Sequence, residues 1–303
     1  MPVYNLQGVQ LDALFNKDGA SIDTAYDIDG NVVFSAEESE TVDYSTYTVS
    51  TYCSVPCRQG FAIYGGYIFA CDKDDSCTII SIEDDEVVET VSITTGHGNS
   101  ASFGRFQNPS DEFPLLYISH DLGAPSNNNY EYVYRITRSG SAFTFTLVQT
   151  LKWSYSQTGY MANSAIDAQS NVMYMLGYSA ANAGSDLDGT NVMILTAWDL
   201  NYLTDNGDGT FTPMYLRKTT ADYFIPYHFG QTFDSRLIWG GTGEQPGNIY
   251  AVSPNTGAIT YTIPLHKTGE GEGIAFLSAT DAIVGFYNDG FYKYTFPLKE
   301  AST

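Results

Sequence analysis

The chain is poor in positive charge. Its 303 residues hold 13 Lys+Arg against 35 Asp+Glu, a formal net charge of −22. A phosphate backbone needs a basic footprint, so nucleic acid is a poor partner. Insertion into an anionic membrane is disfavoured for the same reason, and no apolar run approaches the ~18 residues of a spanning helix. Met1-Pro2-Val3-Tyr4-Asn5 has neither a basic n-region nor an apolar h-region, so no secretory signal is expected. Amphipathic stretches longer than two helical turns are missing. So are Gly-x-Ser-x-Gly, His-Glu-x-x-His and a phosphate-binding glycine loop. With no such motif, no catalytic residue is assigned and the chain is expected not to be an enzyme.

Cysteines are few and crowded: Cys53, Cys57, Cys71 and Cys77. Cys71 and Cys77 flank the polar turn Asp72–Ser76, which lets them face each other across a hairpin. Free thiols, a disulfide and a four-Cys zinc site all remain open. The spacings are not the usual CxxC pairs.

What is abundant is aromatic and turn-forming: 24 Tyr, 17 Phe and 28 Gly. That mix favours strands and turns over helices. In residues 1–37, Gly8, Gly19 and Gly30 stand eleven apart, each between short apolar stretches. Units this short cannot bury a core alone, so the segment is expected to be a β-repeat stalk. Asp27, Asp29 and Asn31 imitate the start of a calcium loop, but the downstream Glu of that pattern is misplaced. Residues 38–46 are acidic and polar and form a linker.

A second, longer repeat follows. Short turn-then-strand starts recur at Gly60-Phe61-Ala62, Asn99-Ser100-Ala101, Asn163-Ser164-Ala165, Gly230-Gln231-Thr232 and Gly273-Ile274-Ala275. Four of these units continue with three further strands, for example Tyr67–Ala70, Thr78–Ile82 and Val87–Val91. The fifth has only Ala282–Phe286 and Phe291–Phe296 after its start, and is one strand short. Tyr47–Tyr52 is a spare strand that can complete it and so remove two open edges. The expected fold is all-β: a five-bladed β-propeller closed by an N-terminal strand, in domain 47–303, preceded by the stalk and linker 1–46. Six blades or an irregular β-sandwich are the alternatives.

In such a ring, residues at the blade starts converge on one mouth of the channel. Those are Arg58, Gln59, His97, Asn99, Asn163, His228, Gln231 and Glu272, with Glu270 nearby. Together they form a polar ring able to hold a small ligand. Tyr130, Tyr132, Tyr155, Tyr160, Tyr178, Tyr223 and Tyr227 near strand ends offer a second surface, a palette suited to sugars. If a hard cation were bound, Glu272, Asn163 and Asn99 would be its oxygen ligands, as in lactonase-type propellers.

Two resemblances bear on function. Tyr26-Asp27-Ile28-Asp29-Gly30-Asn31-Val32 resembles the N-terminal segments of tail-associated proteins of phages that infect gut bacteria. Gly96-His97-Gly98-Asn99, Arg58-Gln59-Gly60-Phe61-Ala62 and Glu270-Gly271-Glu272-Gly273-Ile274-Ala275 are similar to blade starts of helveticin J-like propellers, a fold type also found in phage receptor-binding proteins. Gly98 stands where that family has Ala, and Ser100 where it often has Asp. The resemblance implies a virion-associated, extracellular receptor-binding protein that recognises a bacterial surface glycan. It would be attached to other phage tail proteins by the stalk and assembled as a homo-oligomer, a trimer by analogy with tail fibres. No cofactor is expected beyond a structural or channel Ca2+. The alternatives are a metal-dependent lactonase-like hydrolase and a structural virion protein without a ligand.

Overall fold

In the computed structural model the described residues are 3–4, 10–11, 14–15, 21–22, 24–26, 32–35, 42–120, 128–158, 160–178, 192–221, 229–234, 237–241 and 247–299. The chain divides into two compact units, Met1–Asp43 with Pro297–Thr303, and Tyr44–Phe296.

The first unit holds three small hairpins. β1 (Val3–Tyr4) pairs with β2 (Gln10–Leu11), β3 (Leu14–Phe15) with β4 (Ser21–Ile22), and β5 (Thr24–Tyr26) with β6 (Val32–Ser35). In the sequence, each of the glycines spaced eleven apart stands between the two strands of one hairpin, outside the described residues. The calcium-like residues 27–31 lie outside the described residues. Val42 and Leu298 form a bridge, beside an Asp43 N–H to Pro297 carbonyl bond of 2.8 Å.

The second unit is a series of antiparallel meanders. β8 (Phe61–Tyr64), β9 (Tyr67–Asp72), β10 (Ser76–Ser81) and β11 (Glu86–Ser92) form one four-stranded sheet. β12 (Ser100–Phe103), β13 (Leu116–His120), β14 (Asn128–Ser139) and β15 (Ala142–Ser154) follow. A single helical turn, α1 (Tyr155–Thr158), leads to β16 (Tyr160–Asp167), β17 (Val172–Tyr178), β18 (Met193–Asp205) and β19 (Phe211–Ala221). These eight strands make one sheet, because the long outer strands β15 and β19 meet in one parallel bridge, Leu151 to Phe211. β20 (Phe229–Asp234), β21 (Leu237–Gly241), β22 (Asn248–Val252) and β23 (Ile259–Pro264) form the next sheet. In the last one, β24 (Gly271–Phe276), β25 (Asp281–Phe286) and β26 (Phe291–Thr295) are joined by β7 (Thr48–Cys53).

β7 therefore closes the last sheet as the count of strands demanded. It runs antiparallel to β26, with Val49 opposite Tyr294. Aromatics secure the closure. Tyr44 packs at 4.8–5.0 Å against Trp239, Tyr261 and Phe296, and the Tyr47 hydroxyl donates to the Pro264 carbonyl at 2.6 Å.

The faces of neighbouring sheets pack on each other. Phe69, Phe113 and Phe143 bury edge-on contacts between β8–β11 and β12–β15. Trp153 stacks on Trp198 at 5.8 Å where β12–β15 meets β16–β19. Each such side chain taken from water contributes about 1.5–3 kcal/mol. The strands β8, β12, β16, β20 and β24 are each next to the following one, and β24 is next to β8. The architecture is all-β and propeller-like, with these five strands innermost.

Candidate functional site

The innermost strands gather their starts at one end. Gly60 donates its N–H to the Gly98 carbonyl at 2.9 Å. A Cβ on Gly60 would lie 2.6 Å from the Asn99 carbonyl oxygen, and one on Gly273 would lie 2.7 Å from the Phe61 ring. The Ser100 hydroxyl donates to the Ser164 carbonyl at 2.7 Å. These contacts link the starts of β24, β8, β12 and β16 in sequence, and glycine is needed where backbones approach this closely.

Three of the innermost strands begin earlier than the sequence suggests, and each carries a bulge. The pairing register shifts between Tyr160 and Asn163, between Phe229 and Thr232, and between Gly271 and Gly273. A bulge bends the strand and re-aims the extra side chain. Glu272 is itself an unpaired bulge residue, Gln231 lies inside a bulge, and Asn163 follows one.

Glu272 dominates the electrostatics. Its residue is only 2% exposed, and no hydrogen bond or ion pair to a described residue compensates its carboxyl. Burial, and then the neighbouring charge of Glu270, push its pKa up to about 9. The Cys57 thiol lies close enough to feel the Glu272 charge. Cys57 is fully buried and donates to the Gln59 carbonyl at 3.3 Å. Gln59 is buried and Asn99 half-buried. Asn163 is 2% exposed, and its Oδ1 has no hydrogen-bond partner. His97 sits half-buried on a turn whose flanking Gly96 and Gly98 have φ of 64° and 68°.

The other predicted residues are placed differently. Arg58 is exposed and donates to the Asn288 side chain at the rim. The Gln231 side chain and all of His228 lie outside the described residues. Of the seven tyrosines expected on the surface, the side chains of Tyr130 and Tyr132 are described. Both are half-buried, and Tyr132 packs against the apolar cluster around Phe69. The other five side chains lie outside the described residues. All four cysteines are free thiols and buried. No group of three or more His, Cys, Asp and Glu among the described residues could hold a metal.

A second buried carboxyl went unpredicted. Glu131 on β14 is 0% exposed. Ser164 donates to it at 2.7 Å and Ser119 at 3.0 Å, and the two hydroxyls lie 2.8 Å apart. Burial pushes its pKa up to about 8, with the two serine hydroxyls acting in the opposite direction.

A cavity of about 270 Å3 opens at the opposite end of the innermost strands, lined by Ala62, Ala101, Ala168, Ala275, Phe103 and Asp167 among others. Asp167 is the acidic group there, and its oxygens are spent on the turn at Gln169 and Ser170. Uncommitted polar groups lie at the Glu272 end, so the candidate site is placed there.

The chain matches no protein-family model and no curated protein sequence. Its fold class, however, is shared with a solved structure. Glutaminyl cyclase from Myxococcus xanthus superposes with a TM-score of 0.52 and 10% identity, over 84% of this chain and 98% of that one. A putative oxidoreductase (glucose dehydrogenase) from Thermus thermophilus gives a TM-score of 0.49 and 9% identity, over 82% of this chain and all of that one. The expectation that the chain is not an enzyme is corrected here: the propeller-like fold it shares with glutaminyl cyclase is one that carries an enzyme. The absence of linear motifs had no force, because in this architecture a site is assembled from starts roughly 40–70 residues apart rather than from one short stretch.

Proposed function

We propose that the Tyr44–Phe296 unit is a five-bladed propeller, with the eight-stranded sheet counting as two blades. We further propose that it is a lactonase-like hydrolase acting on a small ester or lactone at the Glu272 mouth, with a hard divalent cation as cofactor. The observation that carries this reading is the uncompensated burial of Glu272. A carboxyl on a residue 2% exposed, with no partner among the described residues, costs stability. Such groups concentrate at functional sites.

The donor set fits a hard cation. Glu272, a residue 2% exposed, and the orphaned Asn163 Oδ1 would be oxygen ligands, with Asn99 at the start of β12. Bound there, a divalent cation would polarise a carbonyl and acidify a water. The chain's own groups prepare that site. Glu272 keeps its proton at neutral pH and gives it up when a positive charge arrives. Asn163 offers a lone pair with no competing donor. Gln59 and Asn99 border the mouth, and their amides suit the orientation of a polar substrate.

The test is a titration with Ca2+, Mg2+, Mn2+ and Zn2+, read by thermal shift and proton release, beside hydrolysis of a panel of aryl esters and lactones. One cation is expected to raise Tm, release about one proton near pH 7 and support hydrolysis, all lost in Glu272→Gln. Equal hydrolysis by wild type and Glu272→Gln, with no cation effect on either, would overturn the reading. A neutral glycan that raises Tm without any cation would instead favour carbohydrate recognition at the same mouth.

A further inference from the structure

We propose that Cys71 and Cys77 are a modification site: they form a reversible disulfide across β9 and β10 when the protein meets a peroxide. The two residues stand directly opposite each other in the register of this antiparallel pair. The Cys71 N–H donates to the Gly60 carbonyl at 2.9 Å. The backbone polar groups of Cys71 thus point towards β8 and away from β10. Cys71 and Cys77 therefore occupy a non-hydrogen-bonded pair, the kind in which opposed Cα atoms lie about 4.5 Å apart and side chains are closest. A disulfide spans Cα separations of roughly 4.4–6.8 Å. Opposed side chains share one face of the sheet, and both are fully buried.

Cys53 and Cys57 are engaged elsewhere. They belong to the apolar cluster around Phe61 and Phe291, where Cys57 donates to Gln59.

The step balances with two electrons. A peroxide oxidises one thiol to a sulfenic acid, breaking the O–O bond and releasing water. The second thiol attacks that sulfur, the S–S bond forms, and a second water leaves. A dithiol reductant reverses it.

The cover over the pair is the turn Thr95–Gly98. A Cβ on Gly98 would lie 3.0 Å from the Cys71 Cβ. The Thr95 hydroxyl donates to the Asp72 carbonyl at 2.6 Å, and the Thr95 and Gly96 N–H groups donate to Asp75 Oδ1 at 2.9 and 3.0 Å. This turn carries His97 and leads to Asn99, so the redox state of the pair is transmitted to the mouth through its support. The oxidant reaches the thiols when the turn lifts.

The experiment treats the full chain with hydrogen peroxide, then unfolds it in an alkylating agent for intact mass and peptide mapping. The expected result is two of four thiols protected, a Cys71–Cys77 cross-link, and full recovery of four thiols after dithiothreitol. Oxidised protein should also show at least threefold slower amide exchange over Thr95–Asn99. Cys77→Ser should leave all three remaining thiols open to alkylation. Four alkylated thiols after oxidation, both in folded protein and in protein refolded from urea with oxidised glutathione, would overturn the proposal. So would a cross-link between any other pair, or sulfinic acid at Cys71 or Cys77.

Discussion

Glu131 and Glu272 make an instructive pair. Both are buried carboxyls on strands of the same unit, and burial raises both pKa values, to about 8 and about 9. Their surroundings differ. Glu131 receives two serine hydroxyls from β13 and β16, so its oxygens are satisfied and it ties the two halves of the eight-stranded sheet together. Glu272 sits on a bulge with no compensating donor among the described residues and a second carboxyl nearby. Burial alone thus does not mark a working group; what sets Glu272 apart is burial without a partner among the described residues.

Removing the satisfied carboxyl should have the largest effect. Glu131→Ala removes the acceptor shared by the Ser119 and Ser164 hydroxyls and opens a void, costing about 2–4 kcal/mol. At roughly 2–4 °C per kcal/mol for a unit of this size, the loss is easily read in a melting curve. Cation binding should be unchanged, and a loss of binding would erase the distinction between the two sites.

Next comes Glu272→Gln, expected to stabilise the cation-free protein by about 1–3 kcal/mol. The sign follows from linkage. Both carboxyls hold a proton in the folded state over a range where the unfolded chain has lost it, so each stabilises least at high pH. Their favourable balance is complete below the ordinary carboxylate range. It is lost as pH rises towards about 8 for Glu131 and about 9 for Glu272. Urea denaturation of the wild type across pH 5–9 should show falling stability throughout. Glu272→Gln should fall less steeply and level off near pH 8.

Ser164→Ala should cost about 1 kcal/mol by removing one donor to Glu131. It should also shift the upper edge of the pH window above 8, since the hydroxyl holds that pKa down. The smallest stability change belongs to Asn163→Ala, within about 0.5 kcal/mol because its Oδ1 has no partner to lose. Calorimetric titration should nevertheless show at least tenfold weaker cation binding.

Much of the fold was legible from strand arithmetic. Four complete units, one short unit and one spare strand at Tyr47–Tyr52 require closure by β7, and β7 does pair with β26. Strand lengths were less legible. Tyr132–Ile136 and Phe143–Leu147 signal a short hairpin, yet β14 and β15 run from Asn128 to Ser139 and from Ala142 to Ser154. Their polar ends are carried by ladder pairing rather than by apolar alternation, and the Leu151–Phe211 bridge merges two sheets that the repeat pattern separates. Glu131 was hidden by its neighbours. In Tyr130-Glu131-Tyr132-Val133-Tyr134 the tyrosines look like the buried face, but Asn129, Glu131 and Val133 face inwards. Tyr134 is buried on the opposite face, with Tyr132 against the Phe69 cluster, so both faces of this strand are covered. Gln59, Asn99, Asn163 and Glu272 were readable as blade starts, whereas the bulges that re-aim three starts have no signature in residue type. That Glu272 meets no partner among the described residues is a property of the assembled fold.

The pairing of β7 with β26 also sets an order of events. β7 is the first strand of its unit and β26 the last, so their ladder joins residues about 240 positions apart. A ribosome making this chain exposes Thr48–Cys53 early and must finish nearly the whole unit before a partner exists. Until then β7 and the edge of β25 are unpaired templates for another chain, which makes synthesis the interval of greatest aggregation risk. A nascent chain stalled before Phe291 should be held by chaperones, whereas one stalled after Pro297 should fold and release them.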